Sequence, residues 1–203
     1  YPATAYLKGF LKKHRPDLEV TQADPALELV LRLFSRKGLE QMRERLEASA
    51  SRKEKRSAGV QVFLDEFDRY RLSVEGVVRF LQGRDPSIAL KIVSRSFLPE
   101  GPSFEALKQY EALGEGDELA WAFGGLGVQD RAKYLASLFL DDLALVIRDG
   151  IDSRFAFSRY GEKLAASAPV FDPMLAALKS ANPTLVDELL DEITRELVEA
   201  HQP

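Results

Sequence analysis

Between residues 131 and 148, apolar positions recur every three or four residues, which is the spacing of one face of an α-helix. That face consists of Leu135, Leu138, Phe139, Leu143 and Val146. Further apolar residues at positions 140, 145 and 147 extend the apolar cover beyond one stripe. Because a helix that is apolar nearly all round is enclosed by other elements, the pattern predicts a central buried helix at about 131–148.

Helical spacing also recurs through most of the remaining chain, and four Asx-Pro pairs indicate where helices begin. The pairs are Asp24-Pro25, Asp85-Pro86, Asp172-Pro173 and Asn182-Pro183. In such a pair the Asx side chain can accept hydrogen bonds from free backbone N–H groups, and proline fixes φ for the first turn. We therefore predict a mainly α fold, an irregular multi-helix bundle around the central helix.

Leu18 to Thr21 carries the one strand signal, a short and partly alternating apolar pattern. A lone strand cannot satisfy its own backbone N–H and C=O groups. We therefore expect at most one or two short strands near 18–21, with their pairing partners outside the chain.

The stretch from Val60 to Leu81 is predicted to contain two helices. Apolar residues from Val60 to Tyr70 have helical spacing, and Ser73 is a candidate cap for a second, shorter helix. Gly83 is well placed to end that second helix.

Residues 48–57 are polar and basic, and they interrupt the helical pattern. They lack the interleaved aromatic residues on which nucleic-acid bases stack, so we interpret them as a solvated linker rather than as a phosphate-binding segment. The predicted organisation is a helix–strand–helix segment at 1–47, a linker at 48–57 and a helical domain at 58–203, all within one compact unit.

The amino-acid composition argues against several classes of function. A formal net charge of −4 argues against a dedicated nucleic-acid binder, which normally has a basic surplus. The chain has no cysteine, which excludes thiolate nucleophiles and cysteine-ligated clusters within it and is compatible with the reducing cytoplasm. No membrane segment is expected, since Lys133, Asp141 and Asp142 interrupt the most apolar helix.

Two places could hold chemistry, and each has a simpler structural interpretation. Glycines between 114 and 127 surround Trp121, but without a GxGxxG or GxxxxGK[ST] motif a tight turn that packs Trp121 is favoured over a phosphate loop. Asp142 lies inside an apolar face, where a carboxylate needs a partner or its pKa rises. A salt bridge or a helix cap is favoured for Asp142 over a catalytic acid. A small-molecule pocket around Trp121 and Asp142 is the least favoured interpretation.

The two histidines, His14 and His201, fall at predicted helix ends near the chain termini and are interpreted as surface residues. No GxSxG elbow is present to support a hydrolase triad. We therefore predict no catalytic, cofactor-binding or metal-binding residue in this chain.

Several stretches resemble the N-terminal region of the cobalamin-binding-type radical SAM proteins, often named Fe–S oxidoreductases. They are PATAYLKGFL from Pro2 to Leu11 followed by LEVTQAD, then Ser137 to Ala165, and Pro183 to Pro203. The resemblance implies part of a Rossmann-like half with a large helical insertion. It also implies a parent protein with a [4Fe–4S] cluster, S-adenosylmethionine and cobalamin. The CxxxCxxC and DxHxxG motifs that bind these groups are absent here, so no functional residue carries over and no cofactor is expected in the fragment.

The chain opens at Tyr1 rather than at a methionine and stops where a helix has just run out, so we expect a piece of a longer protein. Our first hypothesis is a non-catalytic N-terminal fragment of a radical SAM Fe–S oxidoreductase that supports or covers the catalytic barrel. Its partner is then the rest of its own parent chain, with no nucleic acid and no membrane. The alternative is a stand-alone helical protein-interaction module that binds through an exposed apolar groove.

Overall fold

The computed structural model describes residues 2–49, 56–113, 127–157, 171–180 and 182–201. The α-helices of these ranges are α1 Pro2–His14, α2 Pro25–Leu33, α3 Arg36–Ala48, α4 Ala58–Asp65, α5 Phe67–Leu81, α6 Ala89–Val93, α7 Glu105–Leu113, α8 Val128–Gly150, α9 Phe171–Leu178 and α10 Leu185–His201. Short 3₁₀ turns at Pro86–Ile88 and Pro102–Phe104 precede α6 and α7. Within the described ranges no residue is in a strand, so the prediction of a mainly α fold is confirmed.

The strand predicted at residues 18–21 does not form. This stretch has neither helix nor strand hydrogen bonding, and Leu18 N–H donates to the carbonyl of Arg15 at 3.0 Å in a turn. The physical reason is the lack of a pairing edge, since a strand is stable only when a neighbour takes up its backbone groups, and the described part of the chain offers none.

Asp24 behaves as the Asx-Pro pattern predicts. Its Oδ1 accepts a hydrogen bond from Leu27 N–H at 3.0 Å, and Pro25 occupies the first turn of α2. The other three pairs behave differently. Asp85-Pro86 opens a 3₁₀ turn without a side-chain cap, and α9 already includes Asp172.

At the fourth pair, α10 begins beyond Pro183 with a reciprocal cap. Asp187 N–H donates to Thr184 Oγ1 at 3.2 Å, and Thr184 N–H donates to Asp187 Oδ2 at 2.9 Å. This arrangement is a capping box in which aspartate stands for the usual glutamate. Thr184, rather than Asn182, therefore defines the start of the helix.

The predicted division at Ser73 is wrong, because α5 runs unbroken through it and the break lies at Glu66 instead. Ser73 is fully buried, and its hydroxyl donates to the carbonyl of Arg69 at 2.8 Å, which satisfies it inside the helix. The predicted end is confirmed. Gly83 has φ of 73°, a left-handed conformation that favours glycine, and it follows the last turn of α5.

Ten side chains of α8 are buried: Ala132, Leu135, Ala136, Leu138, Phe139, Leu140, Asp142, Leu143, Val146 and Ile147. The helix packs against α4, α5, α6 and the Pro102–Phe104 turn. One of its core contacts is the stacking of Phe139 on Tyr70 of α5, with ring centroids 5.4 Å apart.

The C-terminal helix α10 packs against α2 and α3. Arginines on these two helices face its carboxylates. Arg32 pairs with Glu196 at 2.5 Å and with Glu192 at 3.6 Å, and Arg45 pairs with Glu188 at 2.5 Å. The contact joins residues that lie more than 140 positions apart in the sequence.

No helix in the described ranges combines the length and the apolar character needed to cross a membrane. The predicted boundaries at 47 and 58 remain predictions, and residues 50–55 of the predicted linker lie outside the described residues.

Candidate functional site

Helix α1 presents three large apolar side chains to solvent. Tyr6 is 79% exposed, Leu7 is 61% exposed and Phe10 is 60% exposed. Tyr6 and Phe10 are four residues apart and Leu7 lies beside them, so all three project from one side of the helix. We call these three residues the α1 apolar face.

The side of α1 next to this face is partly covered. Leu11 and Lys8 are half-buried, and Gln22 Nε2 donates to Thr4 Oγ1 at 2.7 Å. Helix α1 thus leaves Tyr6, Leu7 and Phe10 uncovered, whereas an amphipathic helix that packs on its own domain buries its apolar side.

Leaving these side chains in water carries a large penalty. Burial of one Leu or Phe side chain contributes about 1.5–3 kcal/mol. Scattered single exposed apolar residues are ordinary, whereas a group on one face marks an interaction surface. The α1 apolar face is therefore the strongest candidate for a functional surface in the described ranges.

The segment that follows α1 has the same character. Leu18 is 43% exposed, and residues 18–24 lie outside any helix or strand. At its two ends this segment is hydrogen-bonded locally, since Leu18 N–H donates to the carbonyl of Arg15 and the carbonyl of Asp24 accepts from Glu28 N–H.

Asp142 is the buried carboxylate that the sequence singled out, and it is 1% exposed. Its Oδ2 accepts a hydrogen bond from Gly101 N–H and its Oδ1 accepts one from Ser103 N–H, both at 2.7 Å. Burial raises the pKa of Asp142 above its ordinary value, although the hydrogen bonds from Ser103 and Gly101 oppose that rise. The side chain thus caps the Pro102–Phe104 turn, which matches the structural interpretation.

A second carboxylate cluster joins the end of α8 to the start of α10. Arg154 donates from Nε and Nη2 to Asp152 at 2.9 and 2.7 Å, and from Nη2 to Asp187 at 2.8 Å. Thr184 Oγ1 donates to Asp152 Oδ2 at 2.8 Å. Burial alone would raise the pKa of Asp152, but the hydrogen bonds from Arg154 and Thr184 outweigh it, so the pKa is lowered.

Sequence reasoning missed this cluster because its members are 33 residues apart along the chain. The signal that could have revealed it was the Thr-x-x-Asp spacing at 184–187, which is typical of a helix start. Its role is structural, since each of its four side chains already has a hydrogen-bond partner inside the network.

The structure separates the remaining residues that the sequence singled out. His14 and His201 are both exposed at helix C-termini, and the His14 ring lies 4.4 Å from that of Phe10. In the described ranges no three histidine or acidic side chains are grouped as metal ligands would be. Trp121 and most of the glycine-rich segment lie outside the described residues.

Comparison of the chain with protein-family models, with curated proteins and with solved structures found no match in any of the three.

Proposed function

We propose that this chain is a non-catalytic helical module of a radical SAM Fe–S oxidoreductase, and that it supports or covers the catalytic barrel of that protein. The α1 apolar face is its contact with the rest of the parent chain. The observation that carries the proposal is the exposure of Tyr6, Leu7 and Phe10, each at 60% or more.

Two further features support this proposal. The strings from Pro2 to Asp24 resemble the opening of the cobalamin-binding-type family, and in that setting residues 18–21 would become a strand once a neighbouring sheet is supplied. Helix α8 is then the centre around which the helical insertion is arranged. The [4Fe–4S] cluster, S-adenosylmethionine and cobalamin would be bound by other parts of the parent protein.

The test is a binding experiment in trans, preceded by reading the gene beyond Pro203. We expect a CxxxCxxC motif within the following few hundred residues of the reading frame. This chain and the remainder of the parent protein are then expressed together, and complex formation is measured by size-exclusion chromatography with light scattering.

The decisive variant is the double substitution Tyr6→Glu and Phe10→Glu, which is expected to abolish the complex while leaving the helical signal of the chain intact. Leu72→Glu is the matched control, because Leu72 is 62% exposed on α5 and far from α1 in sequence. A complex that survives the double substitution, or a gene without the cysteine motif, would overturn the proposal.

The alternative is a stand-alone protein-interaction module. A groove of about 400 Å³ between α2 and α10 favours it. Pro25, Ile193 and Leu197 give the groove an apolar lining, and Glu28 and Glu196 contribute carboxylates to it. This alternative would be favoured if the gene encodes no barrel and the chain binds a separate protein partner. Leu197→Glu should then release that partner, and the double substitution on α1 should not.

A further inference from the structure

A second cleft of about 450 Å³ lies among α5, the loop after α6 and α7. It is distinct from the α1 apolar face and adjoins the Asp142 cap, since Glu100 precedes Gly101 and Lys108 acts electrostatically on Asp142. Three cationic side chains line it: Arg69 from α5, Arg95 from the loop and Lys108 from α7. Its volume falls within the range of small-molecule sites in proteins, about 300–1,000 Å³.

The loop that forms one wall is held in an unusual conformation. Arg95 has φ of 58°, in the left-handed region that non-glycine residues rarely adopt. Its Nε and Nη2 donate to the two carboxylate oxygens of Glu100, each at 2.7 Å. Both side chains are less than one-fifth exposed. This bidentate pair fixes the shape of the loop and neutralises Glu100.

A second arginine fixes the loop from α5. Arg69 Nη2 donates to the carbonyl of Leu98 at 2.7 Å, and its Nη1 pairs with Glu66. The two carboxylates of the cleft are therefore each matched by one arginine.

Lys108 is the third cationic side chain of the cleft, and the two arginine–glutamate pairs do not include it. An ammonium group has three donors, and the ammonium of Lys108 donates to the carbonyl of Glu100 at 3.3 Å, a long hydrogen bond. Among the side chains that line the cleft, cations therefore exceed carboxylates by one, in a chain whose formal net charge is −4.

Two hydroxyl groups also line the cleft. Ser94 Oγ donates to the carbonyl of Lys91 at 2.8 Å, and Ser96 Oγ lies 3.0 Å from Ser94 Oγ on the loop. The Ser96 hydroxyl can turn its O–H bond toward an incoming acceptor, since a hydroxyl rotates to suit its partners. A lysine, which binds phosphate as a point charge, and a rotatable hydroxyl suit a phosphate group better than the planar pair of oxygens of a carboxylate, which arginine recognises.

We propose that this cleft binds the phosphate group of a small phosphorylated molecule. Lys108 provides the charge, Ser96 provides a hydroxyl donor, and the arginine pairs hold the wall in place. The proposal does not depend on the function proposed for the α1 apolar face.

Nuclear magnetic resonance titration of the ¹⁵N-labelled chain tests it, with inorganic phosphate and glycerol 3-phosphate added separately at constant ionic strength. We expect saturable shifts of amides in residues 94–108, with tighter binding of the phosphate ester because the cleft is larger than phosphate alone. Chloride at the same ionic strength is expected to give no saturable shift.

Lys108→Ala is expected to weaken binding by roughly tenfold or more, the loss associated with one charge-assisted hydrogen bond. Lys133→Ala is the matched control, because Lys133 is an exposed helical lysine paired with Asp130 on α8. The absence of saturable binding at millimolar phosphate, an equal response to chloride, or equal affinity of the two lysine variants would each overturn the proposal. Far-ultraviolet circular dichroism verifies that both variants are folded.

Discussion

A Cβ atom on Gly101 would lie 2.7 Å from Cγ of Asp142, so the carboxylate occupies the space that a larger residue at position 101 would need. The same approach brings Gly101 N–H to 2.7 Å from Asp142 Oδ2. The glycine and the aspartate therefore require each other, since one leaves room for the cap and the other satisfies the backbone.

We predict that Gly101→Ala lowers the free energy of unfolding by about 1–3 kcal/mol, the usual range for overpacking a buried site. Asp142 is buried and cannot swing into solvent. Urea denaturation followed by circular dichroism measures the change. Gly9→Ala is the control, because no atom lies within 4 Å of the place that its added methyl group would take. A gain of about 0.5–1 kcal/mol is expected there from helix propensity.

We predict that Asp142→Asn lowers the free energy of unfolding by about 1–3 kcal/mol, because one of the two backbone donors loses its acceptor in a buried site. Asp149→Asn on the same helix is the control. Asp149 lies in the last turn of α8 and pairs with the adjacent Arg148, and a change within about 0.5 kcal/mol is expected. Equal losses in the two variants would contradict the capping role.

The contribution of Asp142 to stability depends on pH, and the sign follows from the direction in which folding shifts its pKa. Burial raises the pKa of Asp142 in the folded chain, so the folded state binds its proton more tightly than the unfolded state. The contribution of this group to stability is therefore largest below the ordinary carboxyl pKa of about 3.9 and is lost as pH rises through the folded pKa. Denaturation experiments between pH 7 and pH 4 should show that the free energy of unfolding of the wild type rises relative to that of Asp142→Asn as the pH falls. A constant difference would contradict this expectation.

The Arg154 cluster should respond in the opposite direction, because the pKa values of Asp152 and Asp187 are lowered. Its stabilisation is present above the ordinary carboxyl pKa and is lost as pH falls through the folded values. Hydrogen exchange at the start of α10, measured at pH values on both sides of 4, would detect the loosening. Unchanged protection of the first turn of α10 would contradict it.

We predict that Arg154→Met lowers the free energy of unfolding by about 1–2 kcal/mol, since it leaves the buried Asp152 without its cation. The figure is discounted because Arg154 itself is 46% exposed and solvent screens part of the interaction. Arg45→Met is the control. Arg45 is 49% exposed and its partner Glu188 is 36% exposed, so a loss below about 1 kcal/mol is expected. Equal losses would show that the cluster acts as an ordinary surface pair.

The helical content was predictable because period and capping are local properties. The apolar repeat at 131–148 lies within α8, and Asp24 caps α2 from three residues away. The two failures had different causes, one local and one tertiary. Ser73 lies inside a helix because its hydroxyl finds a carbonyl there, and residues 18–21 form no strand because a strand depends on a neighbour.

The candidate surface could be predicted only in part. The spacing of the apolar residues of α1 can be read from the sequence, but it does not indicate whether other parts of the chain cover that face. The Gly101–Asp142 cap is harder to predict, because the two residues are 41 positions apart. No sequence pattern indicates which backbone groups a single buried aspartate will bind.

The pairing of Arg32 with Glu196 has a consequence for synthesis of the protein. The two residues are 164 positions apart, so α2 emerges from the ribosome long before the helix that covers it. At about 5–20 residues per second, that interval is roughly ten to thirty seconds. During this time α3 can already pack against α2, but the part of α2 that packs against α10 lacks its native cover, and the nascent chain is expected to be a client of chaperones that bind exposed hydrophobic segments.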